Sequence, residues 1–431
     1  MRTLVANASR ATSMVSRVRP QDYLLSIVYV GRARLIPGAV ARLLPDNDQP
    51  GIQFSSYYDD GEGNSLKREG DFAPFKPRTD VTLCACAYAP RGGRVTKLAA
   101  TFGVGSWRKT LTILGKRVWH TGDDIHLSPP EAFTRMPIRL ENAYGGLDSA
   151  FNPWGKGFGP PPEPGEEMEA ASIHAENDLR SRWDLELPPD TFGPLSPDYA
   201  PRVALRGTHD KAWIFRRRPL PPLDFDWGHY NAAPPDQQFH PYLRGDEPLF
   251  FENLHSELER FVSTLPGIRA RVFIRRLLNE TDASQYEEIP ARLDTVHIDL
   301  DGMTIDLAWR AACSTLDAAG ADIPECYIIE EPLADAPLPA LAHIEAFRAM
   351  IEPDSAPAFV PPPPEEPAPE ADAEADAAIL LRMQQFVAQQ EFPAEFKEAI
   401  AKVRTKEEVD QLLEAETKRV LDVVGRLIGE T

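Results

Sequence analysis

Residues 295–309 read "TVHIDLDGMTIDLAW", and the alternation in this stretch decides the fold class. Val296, Ile298 and Leu300 alternate with His297 and Asp299. Asp301-Gly302 turns the chain, and Met303, Ile305, Leu307 and Trp309 then alternate with Thr304 and Asp306. A period of two sends successive side chains to opposite faces of a strand. With a two-residue primed turn at Asp301-Gly302, Leu300 stands opposite Met303 and every apolar residue falls on one side. The expectation is an antiparallel hairpin with one core face and one wet face.

Working outward, residues 81–105 read "VTLCACAYAPRGGRVTKLAATFGVG", two β-rich runs joined by a Pro-Arg-Gly-Gly turn signal, which predicts a hairpin. In "KTLTILGKRVW" (109–119) a two-residue Gly115-Lys116 loop would pair Ile113 with Val118. Helical periodicity before residue 340 is weak. Its best example is "LFFENLHSELERFVSTLPG" (249–267), where Leu254, Leu258, Phe261 and Val262 form a stripe ending at Pro266-Gly267. A short helical pattern also occurs in "LAHIEAFRAMI" (341–351). The predicted fold is mainly β: an antiparallel, sandwich-like body with long ordered loops over residues 1–351, followed by a small α-helical C-terminal module.

The C-terminal part divides by composition. Residues 352–376 are Pro, Ala and acid with no Lys or Arg, a linker that cannot bury enough apolar area to offset chain entropy. Residues 377–431 then carry helical stripes: Ile379, Met383, Phe386 and Val387; Phe396, Ile400 and Val403; and, after a Thr405–Glu408 capping box, Val409, Leu412, Leu413, Val420, Leu421, Val424, Leu427 and Ile428. A module this small is marginal alone, so Ile379, Met383, Phe386, Phe396, Ile400, Leu412, Leu413, Leu421 and Val424 form a candidate partner-binding face.

With 431 residues, 42% of them hydrophobic, a sizeable core is available, and 42 prolines imply abundant loops. The net charge of −20 repels nucleic-acid backbones and anionic lipid surfaces, so neither is an expected partner. The opening residues lack a secretory apolar run and no segment is long and apolar enough to span a bilayer, which predicts a cytoplasmic location. The 4 cysteines are too few for a disulfide framework. Cys84 and Cys86 read as buried structural thiols.

Signatures of catalysis are missing: no phosphate-binding glycine loop, no dinucleotide fingerprint, no HExxH zinc helix and no nucleophile elbow. No catalytic residue, cofactor or metal is therefore expected. Asp224 and Asp226 in "PPLDFDWGHYN", near His229, could serve acid–base or metal chemistry, but such acids more often tie down backbone amides in turns. Two basic strips, Arg216, Arg217 and Arg218, then Arg269, Arg271, Arg275 and Arg276, either pair with the protein's own carboxylates or dock an acidic partner. Residues 141–159, "ENAYGGLDSAFNPWGKGFG", suit neither helix nor strand and read as a long ordered loop. Tyr144, Phe151, Trp154 and Phe158 are its anchors. Tyr144, Gly145, Gly146, Asn152, Pro153, Trp154, Gly155 and Gly157 are its candidate functional residues.

"RMPIRLENAYGG" (135–146) followed by "NPWGKGFG" (152–159) resembles the signature of the domain of unknown function 2169 family, bacterial proteins encoded near type VI secretion genes. The likeness extends upstream through "EGDFAPFKPRTDVTLCACAYAPRG" and "LTILGKRVW". It continues downstream through "LSPDYAPRVALRGTHDKAWIFRRRPLPPLDFDWGHYNAAPPDQQ", "YLRGDEPL" and "LDTVHIDLDGMTIDLAWRA", in order, over residues 1 to 335. "CACAY" stands where a glycine-containing strand is expected, and residues 352–431 have no counterpart in the family pattern. The resemblance implies a cytoplasmic adaptor or chaperone. It would bind an effector toxin and load it onto the secretion spike, made of a valine-glycine repeat protein and a PAAR-type tip, without catalysis. The alternatives are a carboxylate-dependent hydrolase using Glu141, Asp224 and Asp226, or a structural component of the secreted spike.

Overall fold

A computed structural model describes residues 4–334, apart from 6–10, 20–21, 60–63, 121–124, 161–162, 164, 177–182, 219, 278–283 and 317–319. The chain divides into two units, residues 1–348 and 349–431. The linker expected at 352–376, the helical face from Ile379 to Val424 and the short pattern at 341–351 lie outside the described residues. What is described is mostly β, as the alternation predicts. No helix among the described residues is long and apolar enough to cross a membrane.

The 295–309 stretch lies at the centre of an 8-stranded sheet. Strand Arg292–Asp299 pairs antiparallel with Thr304–Thr315 in the expected register, Ile298 opposite Ile305 and Val296 opposite Leu307. The turn is not of the primed kind, because the left-handed φ falls on Met303 (49°). Gly302 N–H instead donates to the Asp299 carboxylate at 3.0 Å. On its outer sides the hairpin pairs in parallel with Thr79–Tyr88 and antiparallel with Asp22–Arg34. Being central, it has no wet face.

The polar side of this sheet is covered by residues 64–76. Register aligns Thr82, His297, Asp306 and Arg32 in one row across four strands. Arg32 Nη2 donates to Asp306 at 2.8 Å, and Arg68 reaches Asp306 at 3.2 Å and Asp71 at 2.8 Å. Arg310 binds Asp294, and Lys76 Nζ lies 2.9 Å from Asp80. Alternation identified the polar residues; a distant segment bringing countercharges is what allows their burial.

A 5-stranded antiparallel sheet, in the order Ile173–Ala175, Trp107–Leu114, Lys97–Val104, Pro248–Glu252, Arg260–Thr264, covers the apolar side. Leu83, Ile298, Leu307 and Trp309 share one core with Phe102, Leu111, Ile113 and Phe251. Phe102 stacks on Phe251 at 5.5 Å and meets Phe192 edge-on at 5.9 Å. A 4-stranded sheet of Leu4–Val5, Glu325–Pro332, Ile268–Leu277 and Ser284–Ile289 adjoins, and Val272, Ile274 and Ile328 belong to the same core.

Three local expectations are corrected. Residues 81–105 are not a hairpin: Thr79–Tyr88 belongs to the larger sheet and Lys97–Val104 to the smaller. The Pro90–Gly92 turn, with Arg91 at φ 56°, carries the chain between layers. Ile113 pairs with Ile173 and Leu98 rather than Val118, which pairs with Glu169. The helix read at 249–267 is two antiparallel strands in which Phe251 pairs with Phe261, their rings stacked at 4.7 Å. Aromatic and β-branched residues favour the pleated surface, and Val262 of the supposed stripe is exposed.

Candidate functional site

The 139–159 segment closes on itself. Tyr144–Gly145 pairs in parallel with Lys156–Gly157. Asn152, fully buried, donates through Nδ2 to the carbonyls of Leu140 (2.9 Å) and Tyr144 (3.0 Å). Its own carbonyl accepts from the amides of Gly146 (3.0 Å) and Gly155 (3.2 Å). A Cβ on Gly146 would lie 2.1 Å from the Phe158 carbonyl oxygen, and Gly157 has φ 95°, so both positions require glycine.

The buried Tyr144 donates its hydroxyl to the Leu185 carbonyl at 2.8 Å. Phe151 packs on Tyr199 at 5.8 Å and Phe158 on Tyr144 at 6.5 Å. Trp154 is not an anchor: it is 41% exposed, alongside exposed Pro153, and Leu147 is 89% exposed. Of the expected functional residues, Tyr144, Gly145, Gly146, Asn152 and Gly157 are therefore buried framework, Gly155 is half-buried, and Pro153 and Trp154 face solvent.

The carboxylates do not converge on a reaction centre. Glu141 accepts from the Ser65 amide and hydroxyl, both at 2.8 Å. Asp224 accepts from the Thr208 amide (3.0 Å) and hydroxyl (2.7 Å), which hold its carboxyl below the usual range. Asp226 caps the 3-10 turn Trp227–Tyr230 by accepting from Gly228 N–H at 2.7 Å. His229 Nδ1 donates to the Arg202 carbonyl at 2.8 Å, and burial lowers its pKa.

A buried thiol and imidazole do meet in the large sheet, Cys84 Sγ 3.9 Å from His297 Nε2. Burial pushes the thiol up to about 12 and the imidazole down to about 4, so both are neutral at pH 7. A nucleophilic cysteine needs the opposite shifts. Cys84, Cys86 and Cys326 are buried free thiols, as expected for the first two. Among the described residues no three His, Cys, Asp or Glu side chains group closely enough to hold a metal ion.

The two arginine strips part company. On Ile268–Leu277, Arg269 lies 2.5 Å from Glu331, Arg271 2.8 Å from Glu288, Arg275 2.7 Å from Glu325, and Arg276 2.8 Å from both Glu287 and Asp322. The other strip ends a short helix, α1 being Ala200–Ala204 and α2 Lys211–Arg216. Asp210 starts α2 by accepting from Trp213 N–H at 2.8 Å, and Trp213 Nε1 donates to the Leu220 carbonyl at 2.8 Å. Arg216 and Arg218 are exposed, and their guanidinium groups form no ion pair or hydrogen bond among the described residues. Beside them Ile214 is 47%, Phe215 66% and Leu223 82% exposed.

This segment is held rigidly from below. The buried Arg202 donates to the carbonyls of Leu195 (2.8 Å) and His229 (3.1 Å) and pairs with Glu69 at 2.9 Å. Asp80 in the large sheet accepts from Asn231 Nδ2 and the Ala232 amide, both at 2.8 Å. The sequence reading missed Trp213, Ile214, Phe215 and Leu223. Helices of five and six residues are too short for periodicity to register, although Asp210 three residues before Trp213 is a usable cap signal.

No curated protein and no solved structure matches the chain. A family model described as "Uncharacterized protein conserved in bacteria (DUF2169)" matches residues 21–310, a span that takes in the paired central strands, the closed 139–159 loop and the α1–α2 segment. The chain belongs to this DUF2169 family.

Proposed function

We propose that the protein is an effector adaptor of a type VI secretion system, binding a cognate toxin in the cytoplasm and helping to load it onto the spike or tip. The observation that carries this reading is the open surface of the 203–223 segment. The β body presents exposed Ile214, Phe215 and Leu223 beside Arg216 and Arg218, which are unpaired among the described residues. Ile214 and Phe215 are adjacent on α2 and Leu223 lines a groove with Trp213, and large apolar side chains exposed in this way mark an interaction site. The resemblance to proteins encoded beside secretion genes supplies the biological setting. The amphipathic pattern of residues 377–431 supplies sequence grounds for a second contact, favoured by the tether once the first is made.

A hydrolase reading gains nothing from its own residues, because Glu141, Asp224 and Asp226 each bind serine, threonine or backbone amides of their own neighbourhood. Co-purification of the tagged protein with the product of a neighbouring effector gene tests the adaptor reading. Deletion of the gene is expected to abolish secretion of that effector while leaving its synthesis intact; unchanged secretion would reject it. Recovery of the protein itself in culture supernatant with the effector would mark it as part of the spike instead.

A further inference from the structure

Arg216, Arg217 and Leu223 line a groove of about 430 Å³ whose other walls include Trp213, Leu220 and Pro222. The protein carries a net charge of −20, so an exposed cation has many carboxylates available to it, and all four arginines of the 269–276 strip have found one. Among the described residues, Arg216 and Arg218 have not. Asp210 and Asp224 also line the groove, and each is engaged by its own neighbourhood, Asp210 by the Trp213 amide and Asp224 by Thr208. Charge screening has a range of about 8 Å at physiological salt, so carboxylates elsewhere on the chain do not cancel the charge of Arg216 and Arg218.

We infer that the Trp213–Leu223 groove docks an acidic peptide segment of a protein partner, with an aliphatic or aromatic side chain as its anchor. Carboxylates of the segment meet Arg216 on the groove wall and the exposed Arg218 two residues further on, and guanidinium forks suit carboxylates in bidentate geometry. The anchor covers Leu223, which water now wets. An acidic partner without apolar residues would leave that surface exposed, and an apolar partner without acid would leave the arginines unpaired. The inference rests on the adaptor reading only in taking the partner to be protein cargo.

A random-peptide display library panned on the full-length protein tests it. The expected selection is enriched in Asp and Glu flanking a large apolar residue. Binding of a selected peptide, read by fluorescence anisotropy, should weaken roughly tenfold or more in the double variant Arg216→Glu, Arg218→Glu. It should weaken in Leu223→Ser as well, and should fall steeply between low and physiological salt. All three residues are exposed, so an unchanged melting temperature is expected to accompany the loss.

Failure to select peptides, selection without acid enrichment, or equal binding by both variants would overturn the inference. So would a shift of the unliganded protein from dimer to monomer in the arginine variant, which would make a second copy the occupant. These outcomes are separate from the secretion result: an acidic selection with unaltered effector export would remove the adaptor reading and keep the groove.

Discussion

Segments 139–159 and 195–231 are both irregular connections laid over the same β body, yet they treat their side chains in opposite ways. The 139–159 segment is rich in glycine and turns its polar groups inward, Glu141 to Ser65, Tyr144 to Leu185, and Asn152 alone binding two carbonyls through its side-chain nitrogen and two amides through its own carbonyl. The 195–231 segment is equally anchored at its base, through Arg202 and Asp80, but its upper surface leaves cations and large apolar side chains without partners among the described residues. Unusual composition, in the glycine-rich loop, marks a demanding piece of folding. A composition rich in Pro, Arg and aromatic residues, in the longer segment, accompanies the surface available for recognition. A long ordered loop is therefore a reason to look for function, and the decision rests on which groups it leaves unsatisfied.

The sharpest way to break this contrast is Asn152→Ala. It leaves the Leu140 and Tyr144 carbonyls without their buried donor and should cost about 3 kcal/mol in urea unfolding. A loss within about 0.5 kcal/mol would mean the loop is not a structural lock.

Acid titration probes the closed polar face of the large sheet. His297 is buried with its pKa held down at about 4, below the ordinary 6.5, so the unfolded chain takes up that proton first. Its contribution is complete above about pH 6.5 and is lost as pH falls toward 4, amounting to roughly 3 kcal/mol. Comparison of the pH dependence of the unfolding midpoint with that of His297→Gln isolates the term; identical slopes would show that His297 is not neutral and buried.

The arginine strips supply a smaller effect. Arg271→Ala removes a fork onto Glu288, with Nε and Nη2 both at 2.8 Å, and should cost about 1 kcal/mol. Arg216→Ala, with no partner to lose among the described residues, should stay within about 0.5 kcal/mol in the same denaturation measurement. Smallest of all, Phe215→Ser and Leu223→Ser should leave stability within about 0.5 kcal/mol while reducing effector co-purification. Loss of folding in either would show that these side chains belong to the body.

Legibility in the sequence followed the range of the interactions. The register of Ile298 with Ile305 could be read because a tight turn and a period of two are local properties. The buried state of Cys84 and Cys86 could be read from residue type. The pairing of Ile113 with Ile173 could not, since an extended strand offers the same N–H and C=O groups to any neighbour. Nor could the break of residues 81–105 between two layers, because a Pro-Gly turn is compatible with a hairpin and with a crossing between sheets. The 249–267 stripe satisfied a helical period by coincidence over few residues, and cross-strand stacking of Phe251 and Phe261 overrode it. In the candidate sites, the glycines of the 141–159 loop announced themselves, whereas Phe215 and Leu223 became visible only once their exposure was known.

By itself, the order of amino acids determined the mainly β class, the central hairpin with its apolar face, the ordered character of the 141–159 loop and the compositional break after residue 351, all consequences of local patterning. Tertiary structure alone decided which strands lie side by side, that the polar face around His297 and Asp306 is buried rather than wet, and that one arginine strip is neutralised while Arg216 and Arg218 find no partner among the described residues. The physical reason is that burial and charge pairing depend on what a distant segment brings to the same place, and neither periodicity nor residue type records that distance.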